Sequence, residues 1–466
     1  MKCIPSLDSI KYELQFSSMY LSANKLYNSS KWCSELLLSL YSASNTMPQG
    51  NKVYSDVIEG SDFQNFNKIF IESETAATPT LQLARTLFEL REYNKCCYIL
   101  KPFAKPAYQS SLFLYYYAKY LISEAKAEEE GLNKLDGIKP TDKELSDIEQ
   151  DLKEYYNADK LNAINIYLYG MICKKKGSNI DAINCFIKAI NLFPCLWSCW
   201  IELVQLLSSN DRNIFDRIRK HWISQFYLIS FLLETKNEGE CIKNITDIQT
   251  VFPNSVHLYD TIARACYTIQ EFDSALDWFE KAILIDPYRY ESMDLYSNIL
   301  YIKENYGALA HLAFNMHASD KYRPETCCVI GNYFSLRGDH SKAVIYFKRA
   351  IKLDRNFLSA WTLMGHEYLE MKNAQAAIES YRSAVDIDPS DYRAWYGLGQ
   401  TYEIHQMFNY ASYYYANAAL SKPQDSRMWS ALAGCYDKTE KKCEATKCYE
   451  KSEQFRDKEG ILFKQA

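Results

Sequence analysis

Glycine and proline are scarce in this 466-residue chain, at 15 and 12. Long helices joined by short turns are therefore expected, rather than sheets rich in tight hairpins. A basic excess is also missing. The formal net charge of −5 leaves nothing to track a phosphate backbone, which argues against nucleic acid as a partner. No stretch approaches the ~20 uninterrupted apolar residues that span a bilayer. The most apolar one, "LFLYYYAKYLIS" (112–123), is short and carries Lys119. The start, "MKCIPSLDSIKYEL", lacks the apolar core of a signal peptide. The expectation is a soluble protein of the nucleus and cytoplasm, with no membrane contact. The fifteen cysteines include no C-x-x-C pair. They are expected to act as small buried hydrophobes in a reducing compartment, with neither metal nor cofactor.

What is present is a packed, aromatic chain. Hydrophobic residues make up 48% and charged residues 24%, and there are 38 tyrosines. That excludes a disordered polymer and suits many half-buried surfaces, apolar on one side and wet on the other.

The chain repeats itself. When "LSAWTLMGHEYLEMKNAQAAIESYRSAVDIDPS" (358–390) is laid over "YRAWYGLGQTYEIHQMFNYASYYYANAALSKPQ" (392–424), Trp361, Gly365, Tyr368, Ala377, Tyr381, Ala384 and Pro389 fall on Trp395, Gly399, Tyr402, Ala411, Tyr415, Ala418 and Pro423. Every offset is 34 residues. One step on lie Trp429, Tyr436, Ala445 and Tyr449. One step back lie Gly331, Ala343, Phe347 and Ala350, with Arg355 in place of the proline. This is the tetratricopeptide period, a pair of antiparallel helices per repeat, and it predicts an all-α superhelix. Small residues such as Gly331, Gly365, Gly399, Ala343, Ala377 and Ala411 are expected where helices press together, with Trp361 and Trp395 as packing markers. The following aromatic should fill the gap to the next repeat, and the proline should stop the second helix.

The register continues upstream in 256–287 and 164–194. It weakens in 197–221 and before Pro253, and 290–323 keeps the length but loses most markers. Residues 81–100 and 20–41 read as degenerate helix pairs. The stretch "AKAEEEGLNKLDGIKPTDKELSDIEQDLKEYYNAD" (125–159) is charged and poor in large apolar residues, and reads as a solvated insert, part helix and part loop. The expected organisation is degenerate repeats over 1–124, the insert over 125–160, middle repeats over 161–323 and C-terminal repeats with a peptide groove over 324–466.

Motifs for chemistry fail on inspection. His366–Glu367 opens like H-E-x-x-H, but the fifth residue is Glu370. "GLGQTY" (397–402) lacks a third glycine and a preceding strand. "CKKKGSN" (173–179) reads as a solvated corner. There is no P-loop and no G-x-S-x-G, so the chain is not expected to be an enzyme. Contact residues are instead expected on the first helix of each repeat, which lines the inner wall of such a stack. They are Glu325, Cys328 and Asn332; then Ser359, Thr362, His366 and Glu367; then Arg393, Tyr396 and Gln400. A polar, partly acidic strip of this kind suits an extended segment carrying arginine. A chaperone-cofactor repeat protein that captures C-terminal tails is the alternative. It needs a Lys/Arg carboxylate clamp where positions 332, 366 and 400 hold Asn, His and Gln.

The non-marker residues carry a more specific likeness. "KYRPETCCVIGNY", "AWTLMGHEY", "DYRAWYGLGQTYEI" and "DSRMW", with "SSKWCSELL", "LARTLFELREYNKC", "IYLYGMICKK" and "DPYRYESMDLYSNILY" upstream, resemble subunit eight of the anaphase-promoting complex, the cell-division-cycle twenty-three family. The resemblance implies a non-catalytic scaffold of a large ubiquitin ligase, homodimeric through its N-terminal repeats and stacked with other repeat and platform subunits. It also implies that the C-terminal repeats receive the arginine-containing C-box of activator proteins, with the groove asparagine and glutamate matching Asn332 in "VIGNYF" and Glu367 in "LMGHEY". Residues 42–80 match the family poorly. The chain stops at "KEGILFKQA", which reads as the first helix of a further repeat.

Overall fold

A computed structural model describes residues 7–44, 78–133, 143–207, 215, 217–235 and 238–465. The poorly matching stretch therefore lies mostly outside the described residues. All regular structure among those residues is helical, and the chain divides into two compact units, Met1–Ile269 and Gln270–Ala466.

The first unit opens with α1 (Leu7–Ala23) and α2 (Tyr27–Ser44), followed by α3 (Thr78–Glu89), α4 (Tyr93–Leu100) and the long α5 (Gln109–Asn133). Then come α6 (Lys143–Asn157), α7 (Ala163–Lys175), α8 (Asn179–Leu192), α9 (Trp197–Leu206), α10 (Ser224–Glu234), α11 (Glu238–Gln249) and α12 (Val256–Ile269). Two expectations are corrected here. The charged segment 125–159 is not only solvated: α5 runs on past residue 124, and α6 docks through Leu145, Ile148 and Leu152, each 3% exposed or less. Those three sit one turn apart, so a narrow apolar stripe suffices to seat an otherwise acidic helix. The three lysines of "CKKKGSN" also form a hub rather than a free corner. Lys174 pairs with Glu202 at 2.5 Å, Lys175 with Glu124 at 3.2 Å, and Lys176 with Glu149.

The second unit comprises α13 (Phe272–Ile285), α14 (Met293–Ile302), α15 (Tyr306–Ser319), α16 (Pro324–Leu336), α17 (His340–Leu353), α18 (Leu358–Glu370), α19 (Ala374–Ile387), α20 (Tyr392–Ile404), α21 (Phe408–Ser421), α22 (Ser426–Lys438) and α23 (Lys442–Gln465). The repeat period is written into its backbone. Gln270, Glu304, Gly338, Lys372, Gln406 and Glu440 all have positive φ, between 52° and 83°, and each lies 34 residues after the last. This left-handed residue ends the first helix and lets the next amide bond back to a carbonyl five residues earlier. Examples are Asp339 N to Phe334 O at 2.9 Å and Met407 N to Tyr402 O at 2.9 Å. The marker-poor stretch 290–323 thus keeps full register. The last helix departs from expectation: it runs unbroken from Lys442 to Gln465, because Asp457 stands where Pro389 and Pro423 stop the preceding second helices.

Packing centres on a glycine–aromatic contact in the three repeats from α16 to α21. A Cβ on Gly331 would lie 2.4 Å from the Phe347 ring, on Gly365 2.5 Å from Tyr381, and on Gly399 2.6 Å from Tyr415. Tyr381 is also met from the following repeat by Gly397, at 2.5 Å. The ring is fully enclosed, so it fills the gap between repeats as expected. Ala343, Ala377 and Ala411 are fully buried beside these rings. The tryptophans act as clips: the indole N–H of Trp395 donates to Pro389 O and that of Trp429 to Pro423 O, each at 2.8 Å. Trp361 does the same to Arg355 O at 3.0 Å.

Two glycines separate backbone from packing. Nothing lies within 4 Å of a Cβ on Gly338, so Gly338→Ala should cost only its left-handed conformation, about 1 kcal/mol. Gly365→Ala must displace an enclosed ring, and should cost more, about 1–3 kcal/mol or above. Urea unfolding followed by circular dichroism gives both values.

Candidate functional site

The first helices of successive repeats in the second unit pack side by side: α14 on α16, α16 on α18, and α18 on α20. Residues one period apart therefore line up. Asn298, Asn332, His366 and Gln400 form one such column, and each of the last three directly follows a packing glycine (Gly331, Gly365, Gly399). With the glycine facing its ring, the next residue points about 100° around the helix, onto the shared first-helix face.

The strip is less open than the sequence suggests. Asn332 is 2% exposed, and its Nδ2 donates to Ser297 Oγ at 2.8 Å and to Asn298 Oδ1 at 2.7 Å. Glu367 is 5% exposed. Its Oε1 accepts from Ser335 Oγ at 2.6 Å, and its Oε2 lies 2.9 Å from His340 Nδ1. The carboxylate is thus held by donors from α16 and α17. Cys328 and Thr362 are buried as well. Burial pushes the Cys328 thiol far up, and the Thr362 hydroxyl bonds back to Ser359 O at 3.0 Å. Both are packing residues.

Other strip residues have separate partners. Ser359 Oγ donates to Asp294 Oδ2 at 2.8 Å, from one first helix to another two repeats away. Burial raises the Glu325 carboxyl, and Asp294 and Asp354 add to the effect. Arg393 Nε donates to Asp391 Oδ1 at 3.0 Å, and the Tyr396 ring packs 5.3 Å from Tyr415. Gln400 is open to solvent. The structure therefore builds two polar groups on adjoining first helices, Asn332 with Ser297 and Asn298 and Glu367 with Ser335 and His340, and leaves His366, Arg393 and Tyr396 on their own contacts. Asn298 lies one period before Asn332 and was readable from the register. His340 opens a second helix, so a search of first helices passes over it. No group of His, Cys, Asp or Glu among the described residues has the arrangement to hold a metal ion.

His366 meets the aromatic side chain of its own repeat's glycine–aromatic contact: its Nδ1 lies 2.9 Å from the Tyr381 hydroxyl. Neighbouring protein atoms and the guanidinium of Arg393 disfavour its charged form, so its pKa is lowered from the ordinary histidine value. The side chain is nevertheless exposed to water, which makes the shift small. The unfolded chain then takes up a proton near pH 6.5 that the folded one refuses. This stability contribution is complete above that pH and declines as the pH drops below it. The urea midpoint should fall between pH 6.5 and 4.5 by more in the parent than in His366→Gln.

A family model described as anaphase promoting complex subunit 8/Cdc23 matches residues 9–265, and tetratricopeptide models match 256–289, 324–357 and 365–404. Anaphase-promoting complex subunit 8 of Arabidopsis thaliana is 38% identical over 395 residues, covering 80% of this chain and 67% of that protein. Anaphase-promoting complex subunit CDC23 of Saccharomyces cerevisiae is 32% identical over 450 residues, covering 80% of this chain and 71% of that protein. Among solved structures, the crystal structure of the APC/C hetero-tetramer Cut9-Hcn1 matches with a TM-score of 0.56 at 15% identity, over 85% of this chain and 81% of that one. That likeness supports the superhelical fold alone. With the subunit 8 model matched over more than half its length, and relatives above 30% identity across most of the rest, this chain belongs to the anaphase-promoting complex subunit 8/Cdc23 family.

Proposed function

We propose that the chain is a non-catalytic scaffold subunit of an anaphase-promoting complex, the multi-subunit ubiquitin ligase of the cell cycle. In this reading it acts in the nucleus and cytoplasm, homodimerises through its N-terminal repeats and stacks with other repeat and platform subunits. Its C-terminal repeats receive the arginine-containing C-box of activator proteins.

The observation that carries the reading is the pair of polar groups around Asn332 and Glu367 on adjoining first helices, in a chain of this family. A carboxylate has about four lone-pair sites, and Ser335 and His340 use one on each oxygen. A guanidinium can take the remaining pair through two parallel N–H bonds. Asn332 spends its amide N–H groups on Ser297 and Asn298, which leaves its Oδ1 to accept an amide from an extended peptide. His366, Arg393, Tyr396 and Gln400 then border the path of that peptide along the face.

Affinity purification of the tagged protein from dividing cells tests the assignment to the complex. Recovery of a cullin-like subunit, a RING subunit and other repeat subunits, with ubiquitin ligase activity, is the expected outcome. Chaperones without ligase activity would overturn it. For the site, Glu367→Gln keeps the shape and removes the charge. Losing one charge-assisted interaction should weaken binding of a C-box peptide about tenfold to a hundredfold, measured by calorimetry. Unchanged affinity would remove Glu367 from the site.

A further inference from the structure

Both oxygens of Glu367 are held, and by donors on different elements. Ser335 lies in the last turn of α16, and His340 is the first residue of α17. The Glu367 side chain is 7% exposed, whereas His340 keeps 34% of its side chain open. The residue beside it, Asp339, is occupied with Lys342 at 3.3 Å and Arg337 at 3.7 Å, so it does not draw His340 away from Glu367.

One donor on each oxygen does more than hold a carboxylate in place. It fixes the rotation of the carboxylate plane, because turning about the last side-chain bond would break both contacts. A fixed plane matters differently to the two basic side chains. A guanidinium is planar and gains its second hydrogen bond only when the carboxylate plane meets it squarely; an ammonium is a compact point charge that bonds at many angles.

We propose that His340, together with Ser335, is a positioning residue that sets the plane of Glu367 so that the face selects arginine over lysine. The proposal rests on the reading of Glu367 as the receiver of the peptide arginine. His340 contributes by orienting Glu367 and need not touch the peptide.

The test uses the full chain and two peptides, the arginine-containing C-box peptide and its counterpart with that arginine changed to lysine. Affinities are measured by calorimetry for the parent, His340→Ala and His340→Gln, with thermal midpoints recorded alongside. The parent should prefer arginine by about tenfold, the value of one added charge-assisted bond. His340→Ala should lose most of that preference by losing arginine affinity while lysine affinity holds. His340→Gln, whose amide can donate to the same oxygen, should restore it. A merely structural tie between α17 and α18 would lower the thermal midpoint and weaken both peptides alike, leaving the ratio intact; that result overturns the proposal. Equal binding of the two peptides by the parent also overturns it, while the arginine-receiving reading stands. Binding of neither peptide by the parent defeats that reading, and the proposal with it.

Discussion

Three consecutive repeats of the second unit turn on one contact, an aromatic ring laid against a glycine of the paired helix. Gly331 with Phe347, Gly365 with Tyr381 and Gly399 with Tyr415 bring ring and backbone so close that even a methyl group would not fit. The same contact recurs in the first unit, between Gly170 and Phe186. A glycine inside a helix costs about 1 kcal/mol against alanine. Full burial of the ring contributes about 1.5–3 kcal/mol, so the exchange favours the lock. Tyr381 shows how the lock propagates. Held by Gly365 in its own repeat and by Gly397 in the next, it couples two repeats through a single enclosed side chain.

The lock also decides what the adjoining face of the helix can do. Once the glycine faces its ring, the residue after it is committed to the face shared with neighbouring first helices, and one period of 34 residues stacks these residues into a column. Asn298 and Asn332 pair directly within it. His366 instead reaches back to the Tyr381 hydroxyl, tying the column to the core. The polar groups are therefore built on the packing rather than added to a finished surface, and their spacing is inherited from the repeat.

That dependence explains which parts could be read in advance. The 34-residue offset was legible because glycine, alanine and tryptophan are dictated by contact distance, leaving little chemical choice at positions such as Gly365 or Ala377. Gly397, in "GLGQTY", reads as a packing glycine too, although the ring it meets belongs to the preceding repeat, off the marker alignment. The turn residues, by contrast, were hidden. Lys372, Gln406 and Glu440 adopt the left-handed conformation that Gly338 adopts more cheaply, and nothing in their side chains announces it. Seating of α6 was obscured by composition, since three apolar residues in an acidic helix fall below what an average reveals. In the candidate site, Asn332 and Glu367 were visible on the first-helix face, but their burial was not. It arises from Ser297, Asn298, Ser335 and His340, which reach them from other helices.

The burial of Glu367 bears on why a carboxylate stands there. Removing such a group from water costs several kcal/mol, and a hydrogen bond to a charged group returns about 1.5–3 kcal/mol. Ser335 and His340 therefore do little more than offset the loss. As a stabilising element alone, an apolar side chain of similar volume would serve as well or better. What the carboxylate adds is a negative charge of fixed direction, and under the proposed reading it is the group that meets a planar cation on this face. The charge is then only partly compensated by its own chain, and the remaining lone pairs are the ones a guanidinium is shaped to take.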